Sequence, residues 1–325
     1  KDFKERIMDG ISQLEGAFSM TFLVEDGIIA VRDKRGFRPL SLGKLDGAYV
    51  IASETCAFDL IHAEFIRDIE PGEVLFITEK GIKSVHIAEK SSKSSFCIFE
   101  YIYFSRPDSN IYGANVHLTR KRQGAELAKE SPAKADLVIA IPDSGSSAAV
   151  GYSEQSGIPL DMGMIRNHYI GRTFIQPSQY IRDLSVRVKL NPIRDVVKGK
   201  KIVVIEDSIV RGTTSKARIR TLREAGAKEI HMRVSCPQHI SPCYYGIDFP
   251  TKEELIASSH TAEEIRKFIG LDSLAYLSLA GLYKAMPLPK TKFCVSCFTG
   301  KYPVLPEQGI GKFNLENQLS FLNIK

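Results

Sequence analysis

Residues 201–215, KIVVIEDSIVRGTTS, constrain this chain more than any other stretch. An apolar, β-prone run from Lys201 to Ile205 ends in two adjacent carboxylates, Glu206 and Asp207. A short loop rich in Gly, Thr and Ser then opens an amphipathic helix, expected from Thr214 to Ala225. A fully apolar strand followed directly by a helix belongs in a parallel sheet with helices packed on both faces. Open sheets of that kind bind ligands at the carboxyl ends of their strands. There Ser208, Arg211, Gly212, Thr213, Thr214 and Ser215 can cradle an anion with backbone N–H groups and hydroxyls, aided by the helix dipole. Glu206 and Asp207 can accept hydrogen bonds from sugar hydroxyls or hold Mg²⁺. The same residues would also make a plain acidic turn in which Thr213 or Thr214 only caps the helix. Neither GxxxxGK[ST] nor GxGxxG occurs.

The rest of the second half repeats this alternation. Helices are expected at Val116–Lys129 and from Ser146, and strands at Leu137–Ile141, Leu160–Ile165 and Glu229–Ser235. Two short helical patterns follow, at Lys252–Ala257 and Ala262–Phe268. The first ninety residues read differently. Short β-prone runs flank Asp26-Gly27, Asp46-Gly47 and Lys80-Gly81, the signature of antiparallel hairpins. Between the two regions lies Glu89–Ser95, EKSSKSS, a linker or exposed loop. A chain of 325 residues has room for about two domains. We expect boundaries at 1–95, 96–285 and 286–325, the last a C-terminal segment.

With 44 basic and 38 acidic residues, the net charge of +6 is too mild and too mixed for a nucleic-acid stripe, but it suits anionic small molecules. No apolar run is long enough to span a bilayer, so neither nucleic acid nor membrane is an expected partner. Six cysteines in a chain this long are too few for a disulfide scaffold. A reduced compartment follows, with any Cys cluster read as a metal site. Cys294-Val-Ser-Cys297 is a CxxC, which zinc, redox and cluster sites all use. Cys97 and Cys243, each among aromatic residues, would by themselves pass for inert core thiols.

Eight segments make a resemblance specific. The stretch around Glu206-Asp207 resembles the phosphoribosyl pyrophosphate (PRPP) motif of type I phosphoribosyltransferases. Pro142-Asp143-Ser144-Gly145-Ser146 resembles that family's pyrophosphate loop. CIFEYIYF around Cys97, PCYYGID around Cys243 and CVSCFTGKYP from Cys294 are similar to the amidophosphoribosyltransferases of the cluster-containing type. So are LEGAFS from Leu14, RDKRGFRPL from Arg32 and ASETCA from Ala52, which are similar to the second half of that family's glutaminase domain. The resemblance spans nearly the whole chain. It implies a type I phosphoribosyltransferase parallel sheet, preceded by part of an α+β N-terminal-nucleophile (Ntn) hydrolase domain.

The resemblance also implies roles. Asp143, Ser144, Gly145, Glu206, Asp207, Ser208, Arg211, Gly212, Thr213, Thr214 and Ser215 would bind PRPP. Ser144, Glu206 and Asp207 would hold Mg²⁺. Cys97, Cys243, Cys294 and Cys297 would ligate a [4Fe–4S] cluster, with a Zn–Cys₄ site as the alternative. The basic stretch carrying Arg166, His168, Tyr169, Arg172 and Lys189 would be a lid over PRPP. The implied activity is a pentosyl transfer that makes 5-phosphoribosylamine from PRPP and glutamine-derived ammonia, opening purine biosynthesis. Purine nucleotides would inhibit it, in a homotetramer of the cytoplasm or, in a plant, the plastid stroma. The family's glutaminase begins with a Cys nucleophile, which no residue here matches; it would stand upstream of Lys1, and the chain as written should depend on free ammonia. The rivals are a nucleobase phosphoribosyltransferase and a non-enzymatic PRPP-sensing regulator.

Two departures matter. The family's usual pair of aspartates is Glu206-Asp207 here, so one carboxylate reaches a methylene further, and Asp207 is the better candidate for the ribose. At His168 many relatives carry Arg, and a neutral imidazole binds anions less well.

Overall fold

The computed structural model describes residues 3–87, 93–167, 190–249 and 251–305. The chain divides into two units. One holds Lys1–Ile98, Ser241–Lys252 and Thr291–Lys325, the other Phe99–Ile240 and Glu253–Lys290.

In the first unit the expected hairpins form two antiparallel sheets. One is four-stranded, in the order Ser19–Val24, Gly27–Arg32, Glu73–Thr78, Gly81–His86. The other is three-stranded, with Ser41–Leu45 between Ala48–Ala52 and Glu64–Asp68. Side chains alternate across a strand, and this period divides the core. Ile29, Val31, Val74 and Phe76 pack with Ile11 of the helix Phe3–Ser12. Ala30, Leu75 and Ile77 pack against Leu40, Leu42 and Ile69. The layers are therefore helix, sheet and sheet, consistent with part of an Ntn-like domain.

Asp46-Gly47 makes the expected tight turn, with φ of +47° and +89°. The other two turns sit one residue earlier than expected, at Glu25-Asp26 and Glu79-Lys80. Gly27 is instead the first residue of its strand. A Cβ there would lie 2.0 Å from the Ile77 carbonyl oxygen, so the close approach of the next strand requires the glycine.

A buried charge ties this unit together. Glu73, 1% exposed, accepts hydrogen bonds from Arg67 Nη1 and Nη2 at 2.8 and 2.7 Å, from Ser84 Oγ at 2.6 Å and from the Glu70 amide at 2.7 Å. Burial alone would push its carboxyl up, but these donors outweigh burial and pull it down to about 2. A lowered folded value gives stability that is present above the ordinary value of 4.5 and lost as pH falls toward 2. Arg67→Ala should therefore cost about 2 kcal/mol at pH 7. In urea melts the difference from the parent should shrink steadily below pH 4.5. A cost that does not change with pH would contradict this account.

In the second unit four parallel strands lie in the order Leu137–Ala140, Lys201–Glu206, Glu229–Val234, Ser273–Tyr276. Every residue from Ile202 to Glu206 is buried. Successive side chains point to opposite faces, so both faces of the sheet are covered, as expected of a parallel α/β sheet. Among the described residues the unit's helices include Val116–Glu130, Ser146–Ser156, Thr213–Glu224, Ala262–Ile269 and Leu279–Ala285, with a π-helical turn at Glu100–Phe104 and a four-residue turn at Arg194–Val197.

Three expectations need correcting. The strand expected at Leu160–Ile165 reduces to one parallel bridge, Val138 to Leu160, followed by Met164–Arg166, which pairs antiparallel with Leu190–Pro192. Pro159 and Gly163 flank and break the apolar run. Lys252–Ala257 forms two 3₁₀ turns, Lys252–Glu254 and Ile256–Ser258, in place of a helix. The fourth parallel strand, Ser273–Tyr276, was not anticipated. It is half-buried along its whole length and carries Ser and Ala where β-branched residues would have announced it.

Candidate functional site

The carboxyl edge of the parallel sheet gathers the two loops singled out from the sequence. Glu206 ends its strand and Asp207 follows, 3% and 5% exposed. Gly212, at φ +76°, turns the chain into the helix Thr213–Glu224, and no side chain caps that helix. Thr213 and Thr214 are exposed and do not cap, so the plain capped-turn alternative is not what forms. The first-turn N–H groups are left for solvent or an anion. Ser215 is buried and Ser208 half-buried. Exposed Arg211 pairs with Glu254 at 2.7 Å, and the Ile256 amide donates to the Val210 carbonyl at 3.0 Å. The two 3₁₀ turns thus brace the loop from outside.

The second loop meets the first at Ile205. The Ile141 amide donates to the Ile205 carbonyl at 2.9 Å, and a Cβ on Gly145 would lie 2.4 Å from the same oxygen. Pro142–Asp143 is a cis peptide. Gly145 then leads into the helix Ser146–Ser156, again with no side-chain cap. Ser144 is half-buried at the tip, and exposed Asp143 pairs with Arg166 Nη1 at 2.7 Å. Within one edge there are therefore two uncapped helix starts and two buried carboxylates. Gly145→Ala should push the loop off the acidic strand. We expect a cost of about 1–3 kcal/mol from overpacking and a matching loss of anion affinity, both read by calorimetry. An unchanged melting temperature would contradict the tight fit.

Burial is the largest influence on Glu206 and pushes its carboxyl up to about 8. Arg218 opposes that shift and the neighbouring Asp207 adds to it. Arg218 Nη1 lies 2.9 Å from Glu206 Oε2, and Ser208 Oγ donates to Asp207 Oδ2 at 2.6 Å. Arg218 was not singled out from the sequence. Nor was His117, whose Nδ1 lies 2.9 Å from Ser147 Oγ in the first turn of the helix after the second loop. Of the lid residues only Arg166 is described; His168, Tyr169, Arg172 and Lys189 lie outside the described residues.

The cysteines form a separate neighbourhood in the first unit. Phe96–Cys97 and Phe293–Cys294 pair in parallel, which makes Cys97 and Cys294 cross-strand partners. Cys243 and Cys294 pack with Phe37 and Tyr245, whose rings stack at 4.1 Å. Cys297 lies in the short helix Ser296–Thr299, and its carbonyl accepts from the Ser241 amide at 3.2 Å. None of the four is in a disulfide. The Tyr245 amide donates to Cys243 Sγ at 3.3 Å, and Ser296 Oγ lies 3.2 Å from Cys294 Sγ. Burial pushes the Cys294 thiol up, and its hydrogen bonds with Ser296 oppose that shift. Among the described residues no group of three or more His, Cys, Asp or Glu is arranged to hold a metal ion. The four candidate ligands are all cysteines of this one unit. Cys56 is in the helix Cys56–Ile61, and Cys236, fully buried in the other unit, has its thiol pushed well up by burial.

Known proteins match this layout. The phosphoribosyl transferase domain family matches residues 119–243. The chloroplastic amidophosphoribosyltransferase of Glycine max is 49% identical over 98% of this chain and 57% of its own length. That of Bacillus subtilis is 51% identical over 92% of this chain and 64% of its own. The solved glutamine PRPP amidotransferase from B. subtilis, complexed with ADP and GMP, superposes with a TM-score of 0.89 at 50% identity. The match covers 95% of this chain and 68% of that one. The chain thus spans 57% and 64% of the length of these two curated relatives. Among the described residues no helix is long and apolar enough to cross a membrane.

Proposed function

This chain belongs to the amidophosphoribosyltransferase family, and on that premise we propose that its parallel-sheet unit transfers the phosphoribosyl group of PRPP to ammonia. The observation that carries the reading is the meeting of two uncapped helix starts beside a buried acidic pair, held together at the Ile205 carbonyl. Two anion-binding helix starts beside two carboxylates are the groups that a ligand with phosphate at both ends and hydroxyls between would need.

Each part has a role in that reading. N–H groups of residues 212–215 and the Thr213 and Thr214 hydroxyls take the 5′-phosphate. Asp207, with Glu206 beside it, accepts from the ribose hydroxyls. The Asp143–Gly145 loop takes the pyrophosphate, and Arg166 exchanges Asp143 for the arriving anion. Ammonia attacks C1, the C1–O bond to pyrophosphate breaks, and the added nitrogen gives up one proton. The products are 5-phosphoribosylamine and pyrophosphate. Ser144, Glu206 and Asp207 would hold Mg²⁺, which offsets charge on the departing pyrophosphate. The stretch from Arg166 to Lys189 would exclude water while C1 is electron-poor.

Cys97, Cys243, Cys294 and Cys297 would hold a [4Fe–4S] cluster, joining three stretches of the first unit that are remote in sequence. Glutamine would supply the ammonia, as the name of the solved glutamine PRPP amidotransferase suggests for that relative. Purine nucleotides would act as inhibitors of a homotetramer; the relative solved with ADP and GMP supports nucleotide binding. The enzyme would open purine biosynthesis, in the cytoplasm or, in a plant, the plastid.

Calorimetry with PRPP and Mg²⁺ tests the binding half of this reading. We expect saturable heat that excess pyrophosphate and ribose 5-phosphate each reduce. Binding that ribose 5-phosphate leaves untouched would contradict the assignment of the 208–215 loop.

A further inference from the structure

We propose that Arg218 is a positioning residue for substrate, holding the longer Glu206 side chain back so that the sugar hydroxyls meet Asp207. The inference rests on the reading that this edge binds PRPP. It begins from an anomaly of length. Two adjacent carboxylates at a strand end repel each other, and at position 206 the side chain carries one methylene more than an aspartate would. A free glutamate there could fold toward Asp207 or into the space the ribose needs.

The structure shows what holds it. Arg218 lies on the helix that begins at Thr213, and its Nη1 sits 2.9 Å from Glu206 Oε2. The Glu206 side chain is 4% exposed and that of Arg218 23%, so the pair is largely shielded from water. Among the described residues, the other ionisable group named as acting on Glu206 is Asp207, which brings no positive charge. Asp207 has a separate donor, Ser208 Oγ at 2.6 Å, and does not depend on Arg218 for a partner. Arg218 thus anchors one oxygen of Glu206 to the helix, while Asp207, which shares a side-chain hydrogen bond with Glu206, keeps a donor of its own in Ser208. An aspartate at 206 would fall about 1.5 Å short and lose the contact, so Arg218 has a task only while residue 206 is glutamate.

Arg218→Met, Arg218→Lys and the double variant Glu206→Asp/Arg218→Met test this against the parent and Glu206→Asp. The readouts are calorimetric PRPP affinity and steady-state kinetics with ammonium. We expect Arg218→Met to weaken PRPP binding and raise KM about tenfold, the equivalent of one lost charge-assisted hydrogen bond, with kcat within about twofold. Arg218→Lys should recover most of the affinity. In the Glu206→Asp background Arg218→Met should cost less than about twofold. A loss of equal size in that background would mean that Arg218 only supports the helix and would overturn the inference, as would unchanged affinity in Arg218→Met. A parent chain that neither binds nor turns over PRPP would instead overturn the underlying reading, and the inference with it.

Discussion

Asp207→Asn is expected to lower kcat/KM for PRPP about a thousandfold, the largest single effect available in this chain. An ionised carboxylate only accepts hydrogen bonds, and two ribose hydroxyls need acceptors. An asparagine keeps one acceptor, turns an NH₂ toward the second hydroxyl and removes the charge that would help hold Mg²⁺. Losing about 1.5–3 kcal/mol for each of two charged contacts gives roughly 4 kcal/mol, which is about three powers of ten. The fold should survive, because Asp207 follows the strand rather than lying in it, and an asparagine can still accept from Ser208 Oγ. Glu206→Gln should cost only about tenfold, one charge-assisted hydrogen bond, since that carboxylate faces Arg218. Steady-state kinetics with ammonium and a thermal melt check both. Asp207→Asn within tenfold of the parent, or Glu206→Gln the worse of the two, would contradict the assignment.

The second large effect concerns the thiols. Cys294→Ser should strip the bound group and unfold its surroundings, because Cys294 joins the Phe293–Cys294 strand to Phe96–Cys97 and packs on Phe37 and Tyr245. A structural site of four thiolates is worth on the order of 10 kcal/mol of folding energy, about as much as the typical net stability of a domain. Purified parent protein should carry about four iron and four sulfide per chain. The variant should carry neither, and trypsin should cut it readily near residues 291–305. Cys56→Ser should leave metal content unchanged, since Cys56 lies in the helix Cys56–Ile61, apart from the set. One zinc per chain with no sulfide would replace the cluster by a Zn–Cys₄ site. A parent free of metal would contradict both.

The sequence made much of this architecture legible where a residue type has few conformational options. Asp-Gly pairs announced the hairpins, and the run from Lys201 to Asp207 announced a central strand with its ligand edge. Ser273–Tyr276 escaped because an edge strand, buried only in part, needs no β-branched run and carries no pattern of its own. Arg218 escaped for a different reason. On an amphipathic helix an arginine reads as solvated surface, and only the fold shows it lying over a buried carboxylate. The two loops were each recognisable, but their contact through the Ile205 carbonyl belongs to the backbone and leaves no mark in side-chain chemistry beyond the glycine at 145. The grouping of Ser241–Lys252 with the first unit was likewise hidden, since the chain leaves that unit at Ile98 and returns after more than a hundred residues.

The central claim is tested most directly by measuring pyrophosphate release from PRPP with Mg²⁺ on this chain, comparing ammonium, glutamine and free nucleobases as acceptors. The account predicts release that depends on ammonium and is absent with glutamine alone. Release with a nucleobase and not with ammonium would contradict it.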